Sequence, residues 1–118
     1  IYLWTLPMFH CCGWTFPWTI AALAGTNICL RRIAAKPIYD AIVEHKVTHF
    51  CGAPIVLNFI IHARPEDKQP LPHTVEVMTA GASPPAAIVK GMEASGFHIT
   101  HTYGLTEVYG PAVFNAPQ

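Results

Sequence analysis

Apolar residues fall in short runs separated by glycine, proline and charge. Tyr2 to Leu6 reads as a strand that Pro7 stops. Trp14 to Ala24 is apolar nearly throughout and reads as a buried helix. Pro17 fits only in the first turn of that helix, and Gly25 stands where a helix stop belongs. Thr26 to Leu30 predicts a buried strand that exits at Arg31 and Arg32. Pro37 opens a helix in which Ile38, Ala41, Ile42 and His45 recur at helical spacing, so Pro37 to His45 is predicted helical. Val47 to Cys51 is the third strand, ending at Gly52-Ala53-Pro54. Ile55 to Ala63 is a further apolar helix. Arg64 to Pro72 holds three prolines and several charges and reads as an exposed loop. Val75 to Thr79 is the fourth strand. Pro84 or Pro85 starts a helix through Ile88, Val89 and Met92 that stops at Gly96, and Phe97 to Thr102 is the fifth strand.

Strand and helix thus alternate, with no internal repeat. The alternation predicts one α/β domain with a mainly parallel sheet and covering helices, its strands apolar on both faces. In open sheets of this kind ligands bind beyond the carboxyl ends of the strands. The loops there are Met8 to Gly13, Arg31 to Lys36, Gly52 to Pro54, Gly81 to Pro85 and Gly104 to Gly110.

Composition changes this picture in two ways. The chain has 118 residues and opens on Ile1, with 52% apolar and 12% charged residues. An ordinary soluble domain carries about a quarter charged residues. The imbalance suits part of a larger domain whose faces other sequence covers. Formal net charge is zero and there is no run of lysine or arginine, so nucleic acid is not expected as a partner. No apolar run approaches the ~20 residues of a membrane helix, and no signal peptide opens the chain. The cysteines, Cys11, Cys12, Cys29 and Cys51, form no C-x-x-C pair. They read as buried, reduced thiols of an intracellular protein. A metal site from His10, Cys11 and Cys12 would lack the paired spacing of known zinc sites.

Two loops carry candidate chemistry. Gly81-Ala82-Ser83-Pro84-Pro85 is either a tight turn before a proline-started helix or a small-residue surface for a flat ring. Ser83 as a hydrolase nucleophile is a third reading, weakened because the G-x-S-x-G elbow needs glycine where Pro85 stands. Thr102-Tyr103-Gly104-Leu105-Thr106-Glu107 has the make-up of a ligand loop. Tyr103 offers a ring, and Gly104 permits a turn or close approach. Thr106 offers a hydroxyl, and Glu107 a carboxylate for a hard cation. Its plainer reading is a Tyr-Gly turn with Thr106 as a helix cap. His45, His49, His62, His73, His98 and His101 have no motif around them and read as surface or core groups.

Together the two loops resemble adjacent signatures of the AMP-forming adenylate ligases, the superfamily of acyl-CoA synthetases and adenylation domains. Pro7-Met8-Phe9-His10 matches that pattern too, and Gly52-Ala53-Pro54 matches it more weakly. The resemblance runs from Leu6 to Pro111. Tyr109-Gly110-Pro111 leans toward the fatty-acid, methylmercaptopropionate and benzoate CoA-ligase branch. It implies that residues 1–118 are a partial AMP-binding domain, the centre of the large N-terminal domain. A phosphate loop with its lysine would then lie upstream, and a ribose-binding aspartate and a lysine-bearing domain downstream. By the family's pattern Gly81, Ala82 and Ser83 lie along the adenine of ATP or AMP, in a nucleotide site that also takes in Thr102, Tyr103 and Gly104. Tyr103 stacks on the adenine, Thr106 contacts the α-phosphate, Glu107 helps hold Mg2+, and His10 borders the carboxylic acid being activated. The implied reaction makes an acyl-adenylate and passes the acyl group to coenzyme A, in the cytoplasm or the peroxisome, as in fatty-acid metabolism. The chain alone is expected to be inactive. The rival readings are an α/β serine hydrolase using Ser83 and a non-catalytic nucleotide-binding homologue.

Overall fold

The computed structural model describes residues 1–115. In chain order the elements are β1 (Tyr2–Trp4), α1 (Cys11–Ala22), β2 (Asn27–Cys29), α2 (Ala35–His45), β3 (His49–Cys51), α3 (Pro54–Ile61), β4 (Val75–Thr79), α4 (Ala86–Ala94), β5 (Phe97–Leu105) and β6 (Gly110–Phe114). Short 3-10 turns lie at Pro65–Asp67 and Thr106–Val108. The predicted alternation is present, and the strands form one six-stranded sheet in the order β2-β1-β3-β4-β5-β6. The first five strands are parallel, and β6 runs antiparallel to β5.

The strand order reverses at β1, and the two faces are covered accordingly. Leu3, Phe50, Val75, Val77, Phe97 and Ile99 pack with residues of α2, α3 and α4 in the larger core. Ile38, Ile42, Leu57, Ile60 and Met92 are fully buried there. Each such side chain contributes about 1.5–3 kcal/mol by leaving water. Tyr2, Trp4 and Cys51 face the other way and pack with Cys12 and Ile20 of α1.

Pro54 is the first residue of α3, and Pro85 caps α4. Proline suits both places because it lacks the amide that a helix start leaves unpaired. Helix α2 ends without glycine: Lys46 takes the left-handed conformation at φ 57°.

The structure corrects the sequence reading at five points. The second face of the sheet is not apolar on β4 and β5: Glu76, Met78, His98 and Thr100 lie there half-buried, and His98 Nδ1 is 2.5 Å from Glu76 Oε2. The true pattern is alternation, which suits a sheet with one water-facing side. Strand β2 is not buried. It is an edge strand whose Asn27 and Cys29 are exposed, tied in by Trp4 Nε1 donating to Asn27 Oδ1 at 2.8 Å. Helix α1 begins at Cys11 rather than Trp14, which puts Pro17 inside it, and it is not a buried helix: only Cys12 and Ile20 are buried, and Trp18 is exposed. Thr15 and Thr19 hydroxyls bond the carbonyls of Cys11 and Thr15 along the same helix. Helix α2 begins at Ala35, two residues before Pro37, which sits in its first turn.

The fifth correction concerns the last loop. Strand β5 continues through Leu105 and pairs with β6, where the sequence predicted a loop from Gly104 to Gly110. A Cβ built on Gly104 would lie 1.9 Å from the Gly110 carbonyl oxygen. The close approach that Gly104 permits is therefore to the partner strand. Gly104→Ala must push the two strands apart, at a cost of about 1–3 kcal/mol. The expected readout is a thermal midpoint lowered by several degrees. Ala112→Ser on exposed β6 should leave it nearly unchanged, within the roughly 0.5 kcal/mol usual for surface changes. Equal midpoints for Gly104→Ala and wild type would refute the tight pairing.

Candidate active site

Parallel pairing places the carboxyl ends of β1, β3, β4 and β5 along one edge of the sheet, side by side. The loop after β2 lies at the far side of that row. The candidate residues come from the loops after β1, β4 and β5.

The loop after β1 is held by its own backbone. Buried Thr5 donates its hydroxyl to the Cys51 carbonyl at the end of β3. The His10 amide donates to the Pro7 carbonyl at 3.2 Å, and the Gly13 amide to the His10 carbonyl at 2.8 Å. Trp14 Nε1 reaches back to the Phe9 carbonyl at 3.1 Å. Gly13 is sterically required, because a Cβ there would sit 1.6 Å from the Met8 carbonyl oxygen. His10 is thereby fixed at the residue preceding α1. It is exposed, its side chain caps nothing, and its ring lies 4.5 Å from that of Phe9. The imidazole is free to face a ligand.

The last pair between β4 and β5 is Thr79 with His101. Beyond it the strands part. The chain after β4 turns at Gly81, which has φ +88°, and Gly81, Ala82 and Ser83 are exposed. Strand β5 instead runs on beside β6 and carries Tyr103 past the end of β4, where the residue is 57% exposed. Thr102, one residue earlier, is buried, with its hydroxyl 3.5 Å from the Thr79 carbonyl. It anchors the strand end and leaves only its backbone for a ligand. The Thr79 hydroxyl is buried without a hydrogen-bond partner among the described residues.

Thr106 and Glu107 occupy the exposed 3-10 turn that links β5 to β6. Glu107 takes part in none of the ion pairs among the described residues. The hairpin also touches α1: Tyr109 stacks on Trp14, and Gly110 packs against Cys11. His10 and the Thr106–Val108 turn are thus on adjoining segments; the sequence placed both loops at one sheet edge but did not show the Tyr109–Trp14 contact that joins them. Its signal was present as a tyrosine between the Thr-Glu pair and Gly110-Pro111.

No group of three His, Cys, Asp or Glu among the described residues is placed to hold a metal. Cys12 points into the cluster under α1, so the His10-Cys11-Cys12 arrangement does not converge. Glu107 alone suits a cation that takes one or two carboxylates and completes its shell with phosphate oxygens and water, which is how Mg2+ is held. Ser83 has no hydrogen-bonded histidine among the described residues, so the Ser–His pairing of a hydrolase nucleophile is not assembled there. A cavity of about 890 Å³ lies elsewhere, on the open sheet face beside α1, and no candidate residue lines it.

Beneath the His10 loop, three buried groups perturb one another. Burial pushes the Tyr2 phenol well above its ordinary range, with Cys51 and Cys12 adding to the effect. The Cys51 thiol is also raised, first by its hydrogen bond to Cys12 and then by burial. Cys12 is lowered, chiefly by that same bond. All four cysteines are free thiols, but the expected burial holds only for Cys12 and Cys51: Cys11 is half-buried and Cys29 is exposed.

The candidate loops are thus gathered at one edge of the sheet, and comparison with known proteins gives the class. The sequence pattern described as AMP-binding enzyme matches residues 1–118. The chain belongs to the AMP-binding enzyme family. It is 60% identical over 113 residues to the peroxisomal acetate/butyrate–CoA ligase AAE7 of Arabidopsis thaliana, covering 95% of this chain and 20% of that protein. It is 58% identical over 117 residues to acetate–CoA ligase CCL3 of Humulus lupulus, covering 98% and 21%. The chain therefore spans about a fifth of the length of these relatives. Among solved structures it matches the N-terminal domain of FACL13 from Mycobacterium tuberculosis with a TM-score of 0.86 at 28% identity, over 96% of this chain and 29% of that one. It also matches the Bacillus subtilis o-succinylbenzoate coenzyme A synthetase in complex with ATP and magnesium ion, with a TM-score of 0.81 at 21% identity over 98% and 24%. That second likeness concerns the fold alone. Among the described residues no helix is long and apolar enough to cross a membrane.

The Tyr2 phenol gives a pH test of the packing under the site. A phenol whose folded pKa is raised contributes its full stability below the unfolded value of about 10 and loses it as pH climbs beyond. Tyr2→Phe keeps the ring and removes the ionisable group. Its thermal midpoint should fall less between about pH 10 and pH 11.5 than that of wild type. Parallel falls would mean that Tyr2 is hydrated in the folded protein.

Proposed function

We propose that residues 1–118 form part of the adenylating domain of an ATP-dependent, AMP-forming acid–thiol ligase. The observation that carries this reading is the β5 extension. It carries Tyr103 beyond the last β4 pairing, on the strand beside the one that ends in the small-residue turn at residues 81–83, and leads into the exposed turn that holds Thr106 and Glu107. The relatives' names, with acetate, butyrate and 2-methylpropanoate among them, favour a short aliphatic acid as substrate and coenzyme A as acceptor. Two relatives are named peroxisomal, which favours that compartment over the cytoplasm.

In the first step a carboxylate oxygen of the acid attacks the α-phosphorus of ATP. The bond to the bridging oxygen breaks and pyrophosphate leaves. In the second the thiol sulfur of coenzyme A attacks the acyl carbon, AMP leaves with the bonding pair, and the thiol proton passes to solvent. The residues here orient and stabilise. Tyr103 offers its ring to the adenine, and the backbone of residues 81–83 lies along the adenine edge beside Thr102 and Gly104. The Thr106 hydroxyl donates to the α-phosphate, where charge concentrates as the bond forms. His10 borders the attacking carboxylate. Glu107 would hold Mg2+, which when bound neutralises phosphate charge and polarises the α-phosphate. The loops after β1, β3, β4 and β5 contain no lysine or arginine. Countercharge for the remaining phosphates must therefore come from outside these loops.

The full-length protein bearing this segment should exchange labelled pyrophosphate into ATP when given magnesium and acetate or butyrate. Absence of exchange with short, long and aromatic acids alike would defeat the ligase reading. Glu107→Gln keeps size and one oxygen while removing the charge. Its exchange rate should drop at least about tenfold, a barrier rise of roughly 1.4 kcal/mol, and recover in part as magnesium is raised. A magnesium titration curve identical to that of wild type would remove Glu107 from the metal site.

A further inference from the structure

Tyr109 is the one residue of the hairpin that combines strain, exposure and a long-range bond. It has φ 63° and ψ 28°, the left-handed region that a bulky side chain disfavours. Its ring is 62% exposed, so burial does not account for the conformation. Its amide donates to the Thr106 carbonyl at 3.1 Å and closes the turn that carries Thr106 and Glu107. Its hydroxyl donates to the Trp14 carbonyl at 3.0 Å, a contact 95 residues back along the chain. The two rings stack with centroids 6.2 Å apart and an interplanar angle of 29°. Trp14 in turn donates to the Phe9 carbonyl at 3.1 Å, and Phe9 precedes His10. An unbroken series of contacts joins the Thr106 turn to the His10 loop. Gly110, with φ +110°, follows immediately and seats the backbone on Cys11.

We infer that Tyr109 is a positioning residue, which fixes the Thr106–Val108 turn against the His10 loop and so sets the separation between the phosphate end and the acid end of the proposed site. The inference rests on the ligase reading. Backbone strain persists where surrounding contacts over-determine it, and such places collect at sites whose geometry matters. Here those contacts lead to the other candidate loop rather than into the core. Misplacement by about an ångström costs large factors in rate, so a tether between the two reacting ends acts on turnover.

The test uses the full-length protein and two variants. Tyr109→Phe keeps ring and stack but loses the hydroxyl bond. Tyr109→Asn tolerates the left-handed backbone but loses the reach to Trp14. Pyrophosphate exchange with butyrate should fall about three- to tenfold in Tyr109→Phe and more in Tyr109→Asn, with kcat changed more than the KM for ATP. In a His10→Ala background the Tyr109→Asn loss should shrink at least about threefold, because residues acting through one arrangement are not additive. Thermal midpoints should stay within a few degrees of their parents. Amide hydrogen exchange provides a readout that needs no activity: Tyr109→Asn should speed exchange both in residues 104–110 and in residues 8–14. Losses that multiply independently of His10, or faster exchange confined to residues 104–110, would overturn the positioning role. A wild-type protein with no pyrophosphate exchange would defeat the ligase reading, and the amide measurement would still decide whether Tyr109 couples the two loops.

Discussion

Parallel pairing of β1, β3, β4 and β5 is the constraint on which the rest of this structure depends. A parallel strand must be reached by a crossover that returns the chain to the same starting edge. Each crossover therefore leaves its strand from the opposite edge, and all the departing loops collect there. His10, the turn at residues 81–83 and the Tyr103–Glu107 stretch are far apart in sequence, yet they share this edge because β1, β4 and β5 run parallel in one sheet. Reversal of the order at β1 adds the second condition. It sends α1 to one face and α2, α3 and α4 to the other, so the loop after β1 opens toward a helix that the later loops can touch.

Much of this was legible in the chain because its punctuation is strong. Pro54, Pro85 and Gly96 sit at helix boundaries, and the apolar runs between them are short enough to be strands or long enough to be helices. The family resemblance located the two signature loops, which now lie on adjacent strands. What failed to show in the sequence depends on pairing. The exposure of β2 follows from its edge position, which no local pattern encodes. The polar second face of β4 and β5 was readable in Val75-Glu76-Val77-Met78 as alternation, but the expectation of a doubly covered sheet overrode it. Strand β6 was missed because Gly110-Pro111 reads locally as a turn, and only contact with β5 makes it a strand.

The same pairing gives Gly104 a neighbour that the sequence did not show. Its missing side chain admits the Gly110 carbonyl, and the irregular register between Tyr103 and Gly104 is where the two strands close on each other. The hairpin gains a rigid base from this contact. Tyr103, Leu105, Thr106 and Glu107 all remain exposed on it, so the rigidity serves groups that are not themselves part of a core.

The character of the assembled edge narrows its chemistry further. Apart from His10 and Glu107, its candidate side chains are a hydroxyl pair, an aromatic ring and small residues. Such groups suit a flat ring and individual phosphate oxygens, but they cannot neutralise a polyphosphate. The positive residues of the neighbouring segments lie off the row: Arg31 and Arg32 follow the outer strand β2, and Arg64 is spent on Glu66 and Asp67. One carboxylate and no cation is a charge balance that repels ATP unless a metal ion or other parts of the protein intervene. On the proposed ligase reading the edge is a half-site by electrostatics, one that would take the base and the reacting phosphate and rely on charge supplied from beyond it.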